Sequence, residues 1–323
     1  MFYLKFRLYL LLAVLFAIVY AIVSVASFTL GITNFYFYLI LSIGMMVVQY
    51  LIGPKIVEWS MRVKYIKPGE NPKLERMVEE LAVSANIPKP KIGIAETQLP
   101  NAFAFGRGTR DGRVCVTRGL LNLLEDNEIK AVLGHELSHL KNRDVLFITI
   151  LSIIPILLYR IAWNFMFFGG GRDREGRGGN AAIIGIAALL FYFITNLLVL
   201  YASRIREYFA DRGSISLGNE PAHLASALYK LVYGSARMPK EALKEVEGLK
   251  AFFMNDPSQA LNEIKELRQL DADRSGTIDA NELEALRTKN IKPGFGDRMM
   301  EILSTHPNML KRINELSKYD RSF

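Results

Sequence analysis

Gly134-His135-Glu136-Leu137-Ser138-His139 is the stretch from which the rest of the chain can be read. It lies in a run from Glu128 to Lys141 where Ile129, Val132, Leu133, Leu137 and Leu140 recur at helical spacing. Asp126 or Asn127 can cap the start of that helix. Positions four apart share a helix face, so His135 and His139 point the same way. Two neutral imidazoles there can grip one zinc ion. Glu136 stands beside the first of them and can reach a water next to the metal. The spacing matches the zinc-peptidase pattern, in which the metal acidifies the water, the carboxylate takes its proton and the water oxygen attacks a peptide carbonyl. Chance can also write such a string on an amphipathic helix, but two of the chain's four histidines fall in this one motif.

Composition points to a mixed object. The 323 residues are 50% hydrophobic, which suggests membrane spans joined to a polar domain. The net charge of +8 sits largely beside apolar runs, where membrane orientation explains it. No basic-aromatic module is visible, so nucleic acid is not an expected partner. The single cysteine, Cys115, excludes an internal disulfide. Its setting, Val114-Cys115-Val116, reads as a buried strand and the thiol as packing.

Leu8 to Leu30 is almost unbroken in apolar residues and long enough to span a bilayer at ~20 residues per crossing. A secretory signal would have a shorter apolar region and a small-residue cleavage site. Phe35 to Val57 follows through the short link Gly31-Ile32-Thr33-Asn34, with Pro54 near its end. Lys5 and Arg7 before the pair, and Lys55, Arg62, Lys64 and Lys67 after it, set both ends in the cytoplasm. Val145 to Phe168 is a third run, interrupted by Pro155, Arg160 and Asn164, and partly re-entrant passage is compatible with it. The glycine-rich Gly169 to Gly179 reads as a loop, and Ala181 to Tyr201 is a fourth run. An even number of spans returns the chain to the cytosol, where Arg204, Arg206 and Arg212 follow. The expected division is therefore a transmembrane hairpin over 1–59, a first cytosolic part over 60–144, a second hairpin over 145–201 and a second cytosolic part over 202–323.

Within the first cytosolic part, Pro68 to Pro72 is a turn cluster, and Leu74, Met77, Val78, Leu81 and Ala82 keep helical spacing up to Asn86. Lys91 to Ala95 and Arg113 to Thr117 read as strands of a small sheet backing the helix of the motif. Asn101 to Phe105 is either a core strand or an exposed sheet edge, and Asn101, Ala102 and Phe103 are the candidates to pair with an extended substrate.

Catalytic zinc usually takes three protein ligands and keeps one place open for water. Glu207, Asp211, Asp144, His223 and His306 are the candidates for the third. Glu207 and Asp211 are four apart, so one could bind metal while the other fixes a ligand imidazole. Spacing alone leaves open a plain surface helix in which Arg206, Glu207, Asp211 and Arg212 make ion pairs. The motif, two apolar runs before it and two after, and Glu207-x-x-Ala210-Asp211 together resemble the HtpX-type membrane metallopeptidases, relatives of the prenyl-protein endopeptidases. Pro100-Asn101-Ala102-Phe103-Ala104 and Ser304-Thr305-His306-Pro307 look like blocks of the same family. The resemblance covers about Leu8 to Asp211 plus the C-terminal block. It implies an α+β, mostly α, fold with four transmembrane helices and a cytosolic zincin-like peptidase domain of the gluzincin kind. It implies one zinc ion per chain on His135, His139 and Glu207, with Asp211 behind a ligand and Glu136 as general base. It implies a multi-pass protein of the cell membrane with its active site facing the cytoplasm, which cleaves misfolded or damaged membrane proteins. His306 precedes Pro307 and reads as a helix cap or as a donor to an oxyanion near the zinc.

Asp271 to Glu282 departs from that family pattern and matches an EF-hand calcium loop. Asp271, Asp273 and Ser275 offer side-chain oxygens, Thr277 its carbonyl, Asp279 a contact through water and Glu282 a bidentate carboxylate, with Gly276 at the sharp turn. Leu261 to Leu270 and Leu283 to Leu286 read as the flanking helices. EF-hands usually work in pairs and no second loop is visible, so a homo-oligomer is compatible with the pattern. Two other readings stand beside the leading one: a prenyl-protein endopeptidase, and a calcium-responsive membrane adaptor with a structural zinc site closed by His223 or His306. Glu136, a base with no structural duty there, argues against the adaptor.

Overall fold

The computed structural model describes residues 47, 50–167, 178–238, 254, 260–287 and 294–319. The apolar run expected over 8–30, most of the run over 35–57 and most of the glycine-rich loop lie outside the described residues. The fold is α+β and mostly helical, and the chain divides into two compact units, 1–52 with 146–205 and 53–145 with 206–323.

In the first unit, α4 (Asp144–Phe167) continues as a helix through Pro155 rather than breaking there. It packs against α5 (Gly178–Ser216) through Leu151, Ile154 and Leu158 on one side and Val199 and Ala202 on the other. Ile183, Ile186, Leu190 and Phe193 of α5, with Tyr159 and Trp163 of α4, are exposed. So many exposed large apolar side chains mark a surface that meets a membrane or another protein. Among the described residues one helix, Ile183–Ser216, is long and apolar enough to cross a membrane.

The second unit is built on a four-stranded sheet in the order β1-β2-β4-β3, with β1 Val63–Tyr65, β2 Lys91–Ala95, β3 Ala102–Phe105 and β4 Arg113–Thr117. β2 and β4 are parallel, and β1 and β3 pair antiparallel on the outside. α1 (Pro72–Ala85) starts on Pro72 with Asn71 as its cap, whose side chain accepts from Leu74 N at 3.1 Å. It ends where Asn86 takes a left-handed conformation, φ 55°. α2 (Arg118–Leu123) follows β4 and leads into α3 (Asp126–Asn142), the helix of the motif. α3 is capped by Glu125 through a reciprocal pair with Glu128, not by Asp126 or Asn127. Glu125 can reach the N3 amide while Glu128 returns to the Glu125 amide at 2.8 Å, which satisfies two orphan donors at once.

α6 (Pro221–Ala236) is the hub of this unit. Leu224, Ala225, Ala227, Leu228, Leu231 and Val232 are fully buried, against α3 and three short helices, α7 (Ala260–Leu267), α8 (Ala280–Ala285) and α10 (Met309–Leu316). α9 (Phe295–Ile302) precedes α10. The far face of the sheet carries a smaller cluster in which Cys115, Phe103 and Phe105 pack with Val57 and Met61.

The contact that positions the site is the crossing of α3 with the last part of α5. A Cβ added at Gly213 would lie 1.9 Å from Ser138 Oγ, and one at Gly134 would lie 2.4 Å from Asn219 Nδ2. Small residues let the two backbones meet this closely, and Ser214 Oγ donates to the Ala131 carbonyl at 2.6 Å across the seam. Six residues before Gly213 on the same helix stands Glu207.

Candidate metal centre

His135 and His139 face Glu207 across that seam. His135 Nε2 lies 3.6 Å from Glu207 Oε2 and His139 Nε2 lies 3.6 Å from Glu207 Oε1. The two Nε2 atoms are 3.1 Å apart, and one ligand atom from each of the three residues falls within 4.8 Å of the others. Each imidazole is held from behind. His135 Nδ1 donates to Asp211 Oδ1 at 2.9 Å, and His139 Nδ1 donates to Asp144 Oδ2 at 2.5 Å. With Nδ1 carrying the proton, each Nε2 presents a lone pair toward the shared space. Asp144, a candidate third ligand by sequence, is thus spent on His139, and Arg206 steadies it at 3.0 Å. His223 stands on α6 outside the cluster.

Behind Asp211 sits Arg312 of α10, which is fully buried. Its Nε and Nη2 donate to the two oxygens of Asp211 at 2.9 and 2.6 Å, and its Nη1 lies 3.1 Å from Glu207 Oε2. Nη1 also donates to the Met254 carbonyl at 3.1 Å, while Met254 N donates to Asn101 Oδ1 at 3.1 Å. Reading the sequence did not single out Arg312. Its signal was weak: one arginine in a short charged helix, 101 residues from the carboxylate it holds.

The electrostatics favour a cation. Glu136, Asp144, Glu207 and Asp211 bring four carboxylates, and Arg206 and Arg312 bring two guanidiniums. Two negative charges remain in excess, which is the charge of one divalent ion. Burial pulls the His135 imidazole down, but its bonds to Asp211 and Glu207 win and push it up to about 9. Burial would raise Glu207 and Asp211, yet His306 and His135 beside the one, and Arg312 and His135 beside the other, hold both below the ordinary carboxylate range. Glu207 Oε2 is buried without an aligned hydrogen bond. A donor set of two imidazoles and one buried carboxylate, one of whose oxygens has charged neighbours and no aligned hydrogen bond, fits zinc.

Glu136 is 4% exposed, and burial raises its pKa before the neighbouring imidazoles draw it back. Its carboxylate accepts from the Ala104 N–H of β3. β3 is an outer strand, and its alternation decides which residues turn outward. Asn101 gives its N–H to Thr117 Oγ1 and accepts from Thr117 N, both at 2.9 Å, and its side chain is fully buried on Met254. Phe103 pairs with Cys115 in the same phase. Of Asn101, Ala102 and Phe103, only Ala102 turns its backbone groups away from β4.

His306 is not a helix cap. Asn308 caps α10, its side chain accepting from Leu310 N at 2.9 Å, because a short amide reaches the first turn and a ring does not. The imidazole turns instead to the cluster, with Nδ1 3.4 Å from Glu207 Oε2 and both nitrogens buried without a hydrogen-bond partner.

A sequence profile of peptidase family M48 matches residues 68–320. The chain is 52% identical over 229 residues to a protease HtpX homolog of Methanothermobacter thermautotrophicus, an alignment covering 71% of this chain and 86% of that one. It is 37% identical over 281 residues to a protease HtpX homolog of Moorella thermoacetica, covering 86% and 82%. Among solved structures it is similar to that of S. mikatae Ste24p, with a TM-score of 0.51 at 17% identity. That likeness covers 97% of this chain and 65% of the other, and it concerns the fold.

Proposed function

Because the chain belongs to peptidase family M48 and is a membrane metalloendopeptidase, we propose that His135, His139 and Glu207 hold its zinc ion and that Glu136 is its general base. The observation that carries this reading is the convergence of the three ligand atoms within 4.8 Å of one another. A zinc ion bound there supplies Lewis acidity toward a peptide carbonyl and makes a neighbouring water acidic. The rest is done by side chains. Glu136 takes the proton from the water, its basicity raised by burial, and later gives it to the leaving amine. Asp211 and Asp144 keep the two imidazoles in one tautomer, and Arg312 holds Asp211 in place. His306, whose Nδ1 faces Glu207 and whose ring borders the cluster, donates to the oxygen of the carbonyl under attack.

The substrate enters as an extended segment along the outer edge of β3, pairing with Ala102 and leaving Asn101 to anchor the strand. An extended substrate is an unfolded one, which suits misfolded or damaged membrane proteins. The spans set the peptidase at the cytosolic face of the cell membrane, a reading supported by the lysines and arginines that flank the apolar runs. The test is Glu136→Gln in the zinc-loaded chain. Hydrolysis of unfolded casein falls by at least 10²–10³-fold on the scale of general-base catalysis, and zinc content does not change. Retained cleavage in that variant removes Glu136 from its role.

A further inference from the structure

We infer that the loop Asp271–Glu282 binds one Ca²⁺ ion, as a single EF-hand braced by the peptidase core instead of by a second loop. The loop has the residue types that such a site needs at each ligand position. It is folded between two helices, α7 before it and α8 after it. One ligand atom each from Asp271, Asp273 and Glu282 lies within 4.8 Å of the others. Arg274 and Gly276 take left-handed conformations, φ 60° and 82°, which bend the backbone around that space.

The decisive group is Asp271. It is 8% exposed. Its Oδ2 accepts from Gly276 N at the middle of the loop and from Tyr229 OH of α6, each at 3.0 Å. Its Oδ1 is buried and has no hydrogen-bond partner. A buried carboxylate oxygen with no donor, next to a second carboxylate at Asp273, is unfavourable until a cation joins them. Oxygen donors alone, from carboxylates, a hydroxyl and a carbonyl, select a hard ion. Six loop positions with a bidentate glutamate suit Ca²⁺ better than Mg²⁺, which demands six-fold octahedral geometry.

The brace answers the lack of a paired loop. Ile278, in the middle of the loop, is 1% exposed and lies in the main core with α6. The ends of the unit reach α10, the helix that carries Arg312. Glu263 of α7 accepts from Met309 N at 3.2 Å, and Arg287, just past α8, donates to the carbonyls of Ser317 and Tyr319. An ion that ties α7 to α8 therefore stiffens the mount of α10.

The experiment is calorimetric titration of calcium chloride into the zinc-loaded full chain in detergent, with thermal unfolding of the same samples. The expected result is one Ca²⁺ per chain with Kd of roughly 10⁻⁶–10⁻³ M, the range of sensor and extracellular loops, and much weaker Mg²⁺ binding. Asp273→Asn, at an exposed position, and Glu282→Gln each weaken it at least tenfold with zinc content unchanged. Calcium raises the unfolding midpoint of the parent and not of Asp273→Asn. Absence of saturable heat at 10 mM calcium in the folded chain overturns the proposal. So does binding that neither substitution weakens.

Discussion

Replacing Arg312 by methionine removes one guanidinium from a fully buried cluster and leaves Asp211 and Glu207 facing each other without it. Two charge-assisted bonds to Asp211 and one to the Met254 carbonyl are lost with it. Breaking a buried pair in this way costs about 3–5 kcal/mol, because the stranded carboxylates cannot reach water. For a folding unit of this size, 1 kcal/mol moves the midpoint by roughly 2–4 °C, so the zinc-free variant should unfold roughly 6–20 °C below its parent. Bound zinc neutralises Glu207 and, through His135, part of Asp211, so the zinc-loaded variant should lose less. The assay is thermal unfolding of the detergent-solubilised chain with and without a chelator. Adding Asp211→Leu to Arg312→Met should return part of the loss, since the pair is then removed whole. A midpoint shift under about 2 °C in the zinc-free variant, with no recovery in the double variant, would mean that Arg312 does not hold the buried carboxylates.

Two further outcomes follow from the packing. Gly213→Ala puts a methyl 1.9 Å from Ser138 Oγ and 2.6 Å from its Cβ, a contact that rotating the hydroxyl cannot relieve, so the seam between α3 and α5 must open; zinc affinity should fall at least tenfold, and Ser138→Gly in the same chain should restore much of it. Burial pushes the Cys115 thiol up to about 12, so at pH 8 almost none is thiolate and iodoacetamide should label it only after unfolding.

Much of the site could be read from sequence, because helices write their geometry into spacing. His135 and His139, four apart on α3, needed only the period of the helix, and Glu207 with Asp211 needed the same period once the resemblance was in hand. The strands Lys91–Ala95 and Arg113–Thr117 showed as short apolar runs between turn residues. The short strand β1 did not, since Val63–Tyr65 is too brief to show a period. α6 was missed as the centre of the core because it is apolar on most sides and has no polar face against which a stripe could stand out. Arg312 was hidden for a different reason. What it does depends on a contact between distant segments, 101 residues apart for Arg312 and Asp211, and no local pattern records such a meeting. Asn101 looked like a substrate contact because it lies on an edge strand. Strand phase turns it inward, and one residue along, at Ala102, the same strand faces out.

The central claim is that two residues of α3 and one of α5 share one metal ion. Anomalous scattering at the zinc edge from crystals of the full chain tests it most directly. One peak is expected at about 2.0–2.2 Å from His135 Nε2, His139 Nε2 and an oxygen of Glu207. A peak held by other side chains, or one that Glu207 does not touch, would contradict it.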